Sequence, residues 1–278
     1  MSAAPAALAE QPTELEADLE RRFGGLRRLY GETGYLRVRQ ARVAVVGLGG
    51  VGSWAVEALA RSGVARLVLI DGDQVAESNI NRQVQALGST VGLAKVEALR
   101  QRIADIHPGC EVIVVEDFAS PDNWPGLLPA AVDVLIDACD QGAAKLALAA
   151  WALAQQVPAV CVGAAGGKQL AQAVEVVDLA DATHDPLLAS LRQRLRKQGA
   201  PRSGRIGLAC VFSRENVALP AADGGKCGVD GSLNCHGYGS SVTVTATFGL
   251  VAAGEALRLC RARLPAAAAA LSRPLVEG

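Results

Sequence analysis

Residues 41–63 read "ARVAVVGLGGVGSWAVEALARSG". An unbroken apolar run leads into three glycines at GxGxxG spacing, and an amphipathic stretch then closes at Gly63. An apolar run without polar alternation suits a strand covered on both faces, as in parallel sheets. A parallel strand needs a crossover before the next strand, and the amphipathic stretch supplies a helical one. Gly47 makes the turn, Gly49 lets a phosphate approach the backbone, and Gly52 packs helix on strand, with Gly50 inside the same turn. The helix N-terminus then offers unpaired N–H groups and a positive dipole to an anion.

The alternation repeats along the chain. "ARLVLID", "CEVIVVED", "AVDVLIDACD" and "VPAVCVGAAGG" read as strands. "LAKVEALRQRIADIHPG" and "GAAKLALAAWALAQQ" read as helices between them. The expected fold is α/β: a doubly wound, mostly parallel, Rossmann-like sheet over about residues 41–167. A C-terminal α+β extension over 168–262 follows, in which "QAVEVVDL" is a strand. There "PLLASLRQRLRKQG" is an amphipathic helix with Leu188, Leu191 and Leu195 on one face. Residues 21–262 make one domain that opens with a helical arm, between flexible ends at 1–20 and 263–278. Val242–Gly254 is apolar but short for a membrane span and carries three threonines. It reads as a buried helix, without stable membrane insertion.

Charge is nearly balanced, 27 basic against 28 acidic residues, so no global basicity points to nucleic acid. A local patch stands out instead: Arg192, Arg194, Arg196, Lys197, Arg202 and Arg205 lie in a stretch without an acid. The seven cysteines are scattered, with no CxxC. That argues against a disulfide framework and a four-thiolate zinc site, and for a reducing, cytoplasmic setting. The N-terminus shows no basic segment ahead of an apolar core, so no signal peptide is expected. The glycine-rich stretch 222–241 reads as a long surface loop.

Asp71 ends the second strand roughly twenty residues beyond the glycines, where a ribose-binding carboxylate belongs. Asp73 follows two residues later. To that point the chain fits NAD and ATP equally. The next residues, Asn79, Asn81, Arg82, Gln83 and then Lys95, separate the two. Hydride transfer has little use for positive charge beside the phosphates, whereas cleaving ATP builds negative charge that must be neutralised. Asp140, at the end of another strand, can hold Mg²⁺ through carboxylate oxygens.

Together, "GLGGVGS", "DGDQVAESNINRQ", "VGLAKVEA" and "LIDACDQ" resemble the ubiquitin-activating-enzyme-like (ThiF/HesA/MoeB-type) superfamily of ATP-dependent carboxylate adenylating proteins. The likeness runs over about residues 20–260. It implies that Gly49 and Gly52 lie by the phosphates and that Asp71 binds ribose. It places Asn79, Arg82 and Lys95 on ATP phosphates and Asp140 near Mg²⁺, in a homodimer. Gly47, Gly50, Asp73, Asn81 and Gln83 complete the expected nucleotide-binding set. Sulfur-carrier activators of this superfamily usually carry two CxxC pairs, which are missing here. "RRFGGLRRLYG", "HDPLLASLRQRLRK", "CVFSRE" and "VTVTATFGLVA" resemble instead the branch that dehydrates threonylcarbamoyladenosine in tRNA. That branch activates the threonine carboxylate as an acyl-adenylate, and the carbamoyl group then closes a ring and releases AMP.

The resemblance sets further expectations. Arg192, Arg196, Lys197, Arg202 and Arg205 become candidate tRNA contacts, and a sulfur-transfer protein a candidate partner. Many relatives place a second arginine three residues after the first in the N-terminal arm and donate it to the partner subunit's site. Here that position is Gly25. An arginine finger is left to Arg22, Arg27 or Arg28, and Arg22 is carried among the catalytic candidates with Arg82, Lys95 and Asp140. The competing function is activation of a small ubiquitin-like sulfur-carrier protein, with Cys227 or Cys235 as transfer thiol. An NAD-dependent oxidoreductase is the third reading.

Overall fold

The computed structural model describes residues 18–218 and 238–262. Two helices open it: α1 (Leu19–Phe23), capped by the Asp18 carboxylate on the Arg21 N–H, and α2 (Gly25–Arg39). Gly31 interrupts α2 with φ 69° and ψ 171°, a conformation open to glycine and costly for other residues. The core then alternates β1 (Arg42–Val46), α3 (Gly52–Arg61), β2 (Arg66–Ile70), α4 (Lys95–Ile106) and β3 (Glu111–Val115). It continues with β4 (Val134–Asp137), α5 (Gly142–Ala154), β5 (Ala159–Val162) and β6 (Val174–Asp178). The last elements are α6 (Pro186–Lys197), β7 (Ala209–Ser213) and α7 (Val242–Ala262).

The strands form one sheet in the order β3-β2-β1-β4-β5-β7-β6, parallel throughout except β6, which runs antiparallel to β7. The apolar runs of β4 and β5 are buried along their whole length, and those of β1 and β2 in all but the first residue. Helices α3, α4 and α7 cover one face through Val56, Leu59, Leu99 and Phe248. Helices α5 and α6 cover the other through Leu148, Leu188, Leu191 and Leu195. From β1 the chain goes outward to β2 and β3, then returns to β4 on the other side of β1. The carboxyl ends of β1 and β4 therefore flank a crevice, the point where such sheets bind ligands.

One strand is not expected from sequence. "ACVFS" forms β7, a continuous apolar run inserted between β5 and β6. The described residues of 168–262 thus supply β6, β7, α6 and α7 to the same sheet and its cover. Helix α7 is the one described helix long and apolar enough to cross a membrane by length and composition. It packs along α3, burying Val244, Phe248, Ala252 and Ala256. The approach is closest at Gly249, where an added Cβ would run into the Val51 carbonyl and lie 2.8 Å from Trp54 Cβ.

Candidate active site

The crevice opens into a cleft of about 520 Å³ at the carboxyl ends of β1, β2, β4 and β5. Gly47, Gly49, Gly50, Asp71, Asp73, Asn79, Arg82, Gln83, Lys95 and Asp140 all line it. Gly52 and Asn81 do not.

The glycine turn is held through both backbone groups of one residue. The Leu48 N–H donates to Asp71 Oδ2 at 2.6 Å, and the Leu48 carbonyl accepts from Gln85 Nε2 at 3.0 Å. Gln85 also donates to Gln83 Oε1 at 3.1 Å. Gln83, which lines the cleft, therefore also braces the turn through Gln85. Gly47 has φ 86°, and an added Cβ there would meet the backbone of Ala138 and Cys139 at 2.8 Å. Glycine at 47 is what lets the β1 turn pass the end of β4. Gly52 begins α3 and is buried in that packing.

Asp71 also accepts the Asp73 N–H at 2.8 Å. Burial pushes its carboxyl above the ordinary aspartate value, while Lys95 and the two backbone donors pull the other way. The Lys95 ammonium donates to Asp73 Oδ2 at 2.6 Å and stands 4.0 Å from Asp71 Oδ1. Asp73 is half exposed and Lys95 is buried, so the lysine is presented from the floor of the cleft. Arg82 lies across Gly50: an added Cβ on Gly50 would sit 3.2 Å from Arg82 Cγ. One Arg82 amine donates to the Ser78 carbonyl at 2.7 Å and to Asn81 Oδ1 at 2.9 Å, while its Nε is buried without a partner among the described residues. An orphaned guanidinium N–H over a glycine turn suits an anion.

The two asparagines are placed differently. Asn79 lines the cleft, and its Oδ1 accepts the Ala76 N–H at 3.1 Å, capping a short 3₁₀ turn and fixing the amide, whose N–H donors are the groups that suit a phosphate. Asn81 donates to the Ser240 carbonyl at 3.3 Å and accepts from Arg82, so it braces the loop and holds the arginine instead of facing the nucleotide side.

Arg22, one of the three arginines carried as a possible finger for the partner subunit's site, does not line this chain's own cleft. Its guanidinium donates to the carbonyls of Asp105 and Ile106 at 2.8 and 2.7 Å, capping the far end of α4. Lys95 starts that helix, so Arg22 is about 18 Å away, the length of twelve helical residues. Arg27 is paired with Glu20 and Glu32 and stacks over Tyr35. Arg28 is exposed and has no hydrogen bond or ion pair among the described residues.

The basic stretch also needs correction. The leucine face of α6 is buried as periodicity predicts, but Arg192 does not turn to solvent. It is half-buried and donates to the carbonyls of Leu179 and Ala182 at 3.1 and 2.6 Å. Arg196 is half-buried and bonds the Pro201 carbonyl. Lys197 and Arg202 are exposed, and Arg205 is 85 % exposed beside Asp178. Leu187 at the start of α6 lines the cleft, which puts Lys197 at the far end of that helix, and Arg205 beside Asp178 at the end of β6.

Several lining residues carry no signal in the sequence. Phe118, 48 % exposed, packs its ring against Gly72 and forms an apolar wall with Ile70 and Ala119. Gln141, Gly163–Gly166, Leu187 and Thr245 close the other side. Cys139 also lines the cleft, but burial pushes its thiol well above the ordinary range, and Asp137 adds to this, so it stays protonated. Cys161, Cys210 and Cys260 are buried and Cys110 partly so. Cys227 and Cys235 lie outside the described residues.

The sequence profile of the ThiF family matches residues 22–272, most of the chain. The chain belongs to the ThiF family. A tRNA threonylcarbamoyladenosine dehydratase of Escherichia coli is 43 % identical over 252 residues, which cover 87 % of this chain and 94 % of that protein. A crystal structure of the E. coli tRNA N6-threonylcarbamoyladenosine dehydratase in complex with ATP superposes with a TM-score of 0.79 at 40 % identity, covering 94 % of this chain and 100 % of that one. The same enzyme in complex with AMP gives 0.78, also at 40 % identity, over 90 % and 98 %. The α/β architecture is thus that of ThiF-family structures, and the cleft at the β1–β4 switch point is the ThiF-family chain's main candidate for nucleotide.

Proposed function

We propose that this chain dehydrates threonylcarbamoyladenosine in tRNA at the expense of ATP. The observation that carries the reading is the near full-length likeness to dehydratases of that name, on a chain whose Asp71, Arg82, Lys95 and Asp140 meet in one cleft. In this reading the adenine side rests on Ile70, Phe118 and Ala119. Asp71 accepts from ribose hydroxyls. The phosphates lie over Gly49 and Gly50, where Arg82 Nε gains the partner it lacks among the described residues.

The threonine carboxylate attacks the α-phosphorus and pyrophosphate leaves. Arg82 and Lys95 take up the negative charge that grows on the leaving group, and the low dielectric of the cleft strengthens both. Lys95 must share itself between Asp73 and the phosphates. The carbamoyl group then attacks the activated carbonyl, a ring closes, and AMP departs. The nucleophile belongs to the substrate, so the protein needs no thiolate, in keeping with Cys139 being held neutral. Mg²⁺ fits the donors present. No cluster of three or more His, Cys, Asp or Glu exists among the described residues, and Mg²⁺ characteristically combines one or two carboxylates with substrate phosphates and water. Asp140, exposed at the cleft, is the carboxylate for it, and the ion would offset phosphate charge.

The reading extends to a cytoplasmic homodimer. Arg28 is the arm's arginine left to reach the partner subunit's cleft, because Arg22 and Arg27 are engaged within their own chain. Lys197, a helix length from the cleft, would with Arg202 and Arg205 hold tRNA backbone away from the reacting nucleoside. A sulfur-transfer protein remains a candidate partner. Activation of a sulfur-carrier protein is not favoured, since the relatives matched over most of their length are dehydratases. The test is AMP release from ATP with tRNA that carries the modified nucleoside, against the same tRNA without it. Release only with the former is expected. Release driven equally by both, or by neither, refutes the reading.

A further inference from the structure

Lys145 has no part in the chemistry above, yet it is fully buried one turn into α5. Its ammonium donates to Asp137 Oδ2 at 2.8 Å, the Asp137 carbonyl at 3.4 Å and the Val162 carbonyl at 3.0 Å. Asp137 and Val162 are the last residues of β4 and β5, neighbouring strands of the sheet. Beyond them the ladder stops and the chains part. Residues 138–141 turn into α5 and carry Cys139, Asp140 and Gln141 to the cleft. Gly163–Gly166 form the strip on its other side.

The cluster shapes the first segment directly and meets the second at its base, through the Val162 carbonyl, while Val211 and Asp185 hold the strip beyond. Asp137 Oδ1 accepts the Cys139 N–H at 3.2 Å and the Cys139 thiol at 2.9 Å, which shapes the turn that presents Asp140. On the strip, the Gly163 N–H bonds the Val211 carbonyl at 2.8 Å, and the Ala164 N–H bonds Asp185 Oδ2, also at 2.8 Å. The thiols of Cys139, Cys161 and Cys210 surround the pair, and burial holds each of them protonated. Among the described residues, no second carboxylate pairs with the ammonium. A buried ion pair is not the cheapest way to hold a sheet together, because an apolar pair of like volume often does so as well or better. What an apolar pair lacks is direction: three donors aimed at two strand ends and one carboxylate.

We propose that Lys145 is a positioning residue of the adenylation site, clipping the ends of β4 and β5 so that the Asp140 turn and the Gly163–Gly166 strip face each other at the spacing the substrates need. It acts through Asp137 and never touches nucleotide. The inference rests on the adenylating reading. A fixed spacing matters because both reactants must be held in line, and a displacement of an ångström in a site can cost a hundredfold in rate.

The test compares the wild-type chain with Lys145→Met and with Lys145→Met/Asp137→Asn, each in full-length form. The single variant strands a buried carboxylate and can fail to fold. The double variant is neutral, keeps an acceptor for the Cys139 N–H, and removes only the bridge. Three readouts are taken: melting temperature, calorimetric affinity for a non-hydrolysable ATP analogue, and kcat and KM for AMP release with modified tRNA. The double variant should melt close to wild type and bind the analogue within roughly threefold, while kcat falls by about tenfold to a hundredfold. Recovery of wild-type kcat together with wild-type melting would make Lys145 a purely structural residue and overturn the proposal. So would an unchanged kcat in Lys145→Met alone. If the wild-type chain itself releases no AMP, the adenylating reading fails instead.

Discussion

Replacing Lys95 by Met removes one charge and keeps an unbranched side chain of similar reach. The ammonium now sits 2.6 Å from Asp73 Oδ2 and 4.0 Å from Asp71 Oδ1. A charge growing on a phosphate at about 4 Å from it would be stabilised by about 4 kcal/mol at an effective dielectric of about 20. Two effects reduce that figure. Asp73 competes for the same ammonium, and it is 54 % exposed, so water screens that side of the site. Loss of one aimed charge or donor in a preorganised site costs about 2.7–4 kcal/mol, so kcat/KM should fall by about two to three orders of magnitude. Stability should fall modestly, because exposed Asp73 rehydrates and Met fills the buried space, while buried Asp71 loses the ammonium 4.0 Å away and keeps its two backbone donors. The assay is AMP release at substrate-limiting modified tRNA and ATP, with the melting curve as control. A fall of less than about fivefold in a folded variant would refute the role given to Lys95.

Other predictions follow from the same geometry. Gly249→Ala brings a Cβ against the Val51 carbonyl where α7 crosses α3, so it should cost about 1–3 kcal/mol and lower the melting temperature by several degrees. Burial raises the Asp71 carboxyl above the ordinary aspartate value, so its ribose-accepting form is lost at a higher pH than for an exposed aspartate. ATP affinity, followed by calorimetry, should therefore weaken as pH falls through that raised value. For stability the sign is opposite: the raised carboxyl costs nothing below its unfolded value, and its penalty appears as pH rises through the folded one. Cys227→Ser and Cys235→Ser should each keep substantial turnover, and complete loss of product in Cys227→Ser with an intact fold would point to covalent acyl transfer.

Much of the site is legible in the sequence because the switch point collects it. Glycines after β1, an acid after β2 and an acid after β4 are each placed by strand order, and the chain order reveals them. What periodicity cannot place is the far end of a long side chain. The leucines at 188, 191 and 195 fix the buried face of α6, yet Arg192, beside Leu191, curls back to the carbonyls of Leu179 and Ala182. Arg22 sits in an arm that suits donation to a partner, but its own α4 offers two helix-end carbonyls nearer by. β7 is missed because "ACVFS" is short and follows a polar, arginine-rich loop. Only its neighbours β5 and β6 identify it as a strand. Lys145 reads as one more basic residue in an alanine-rich helix, and its meaning depends on Asp137 and Val162, which only the packed sheet brings to it.

The account turns on what happens to the modified nucleoside. The most direct measurement is mass spectrometry of nucleosides from tRNA incubated with this chain and ATP, alongside quantified AMP and pyrophosphate. The account predicts threonylcarbamoyladenosine converted to a species lighter by one water, with AMP and pyrophosphate each formed once per conversion. ATP consumed with the nucleoside unchanged in mass would contradict it.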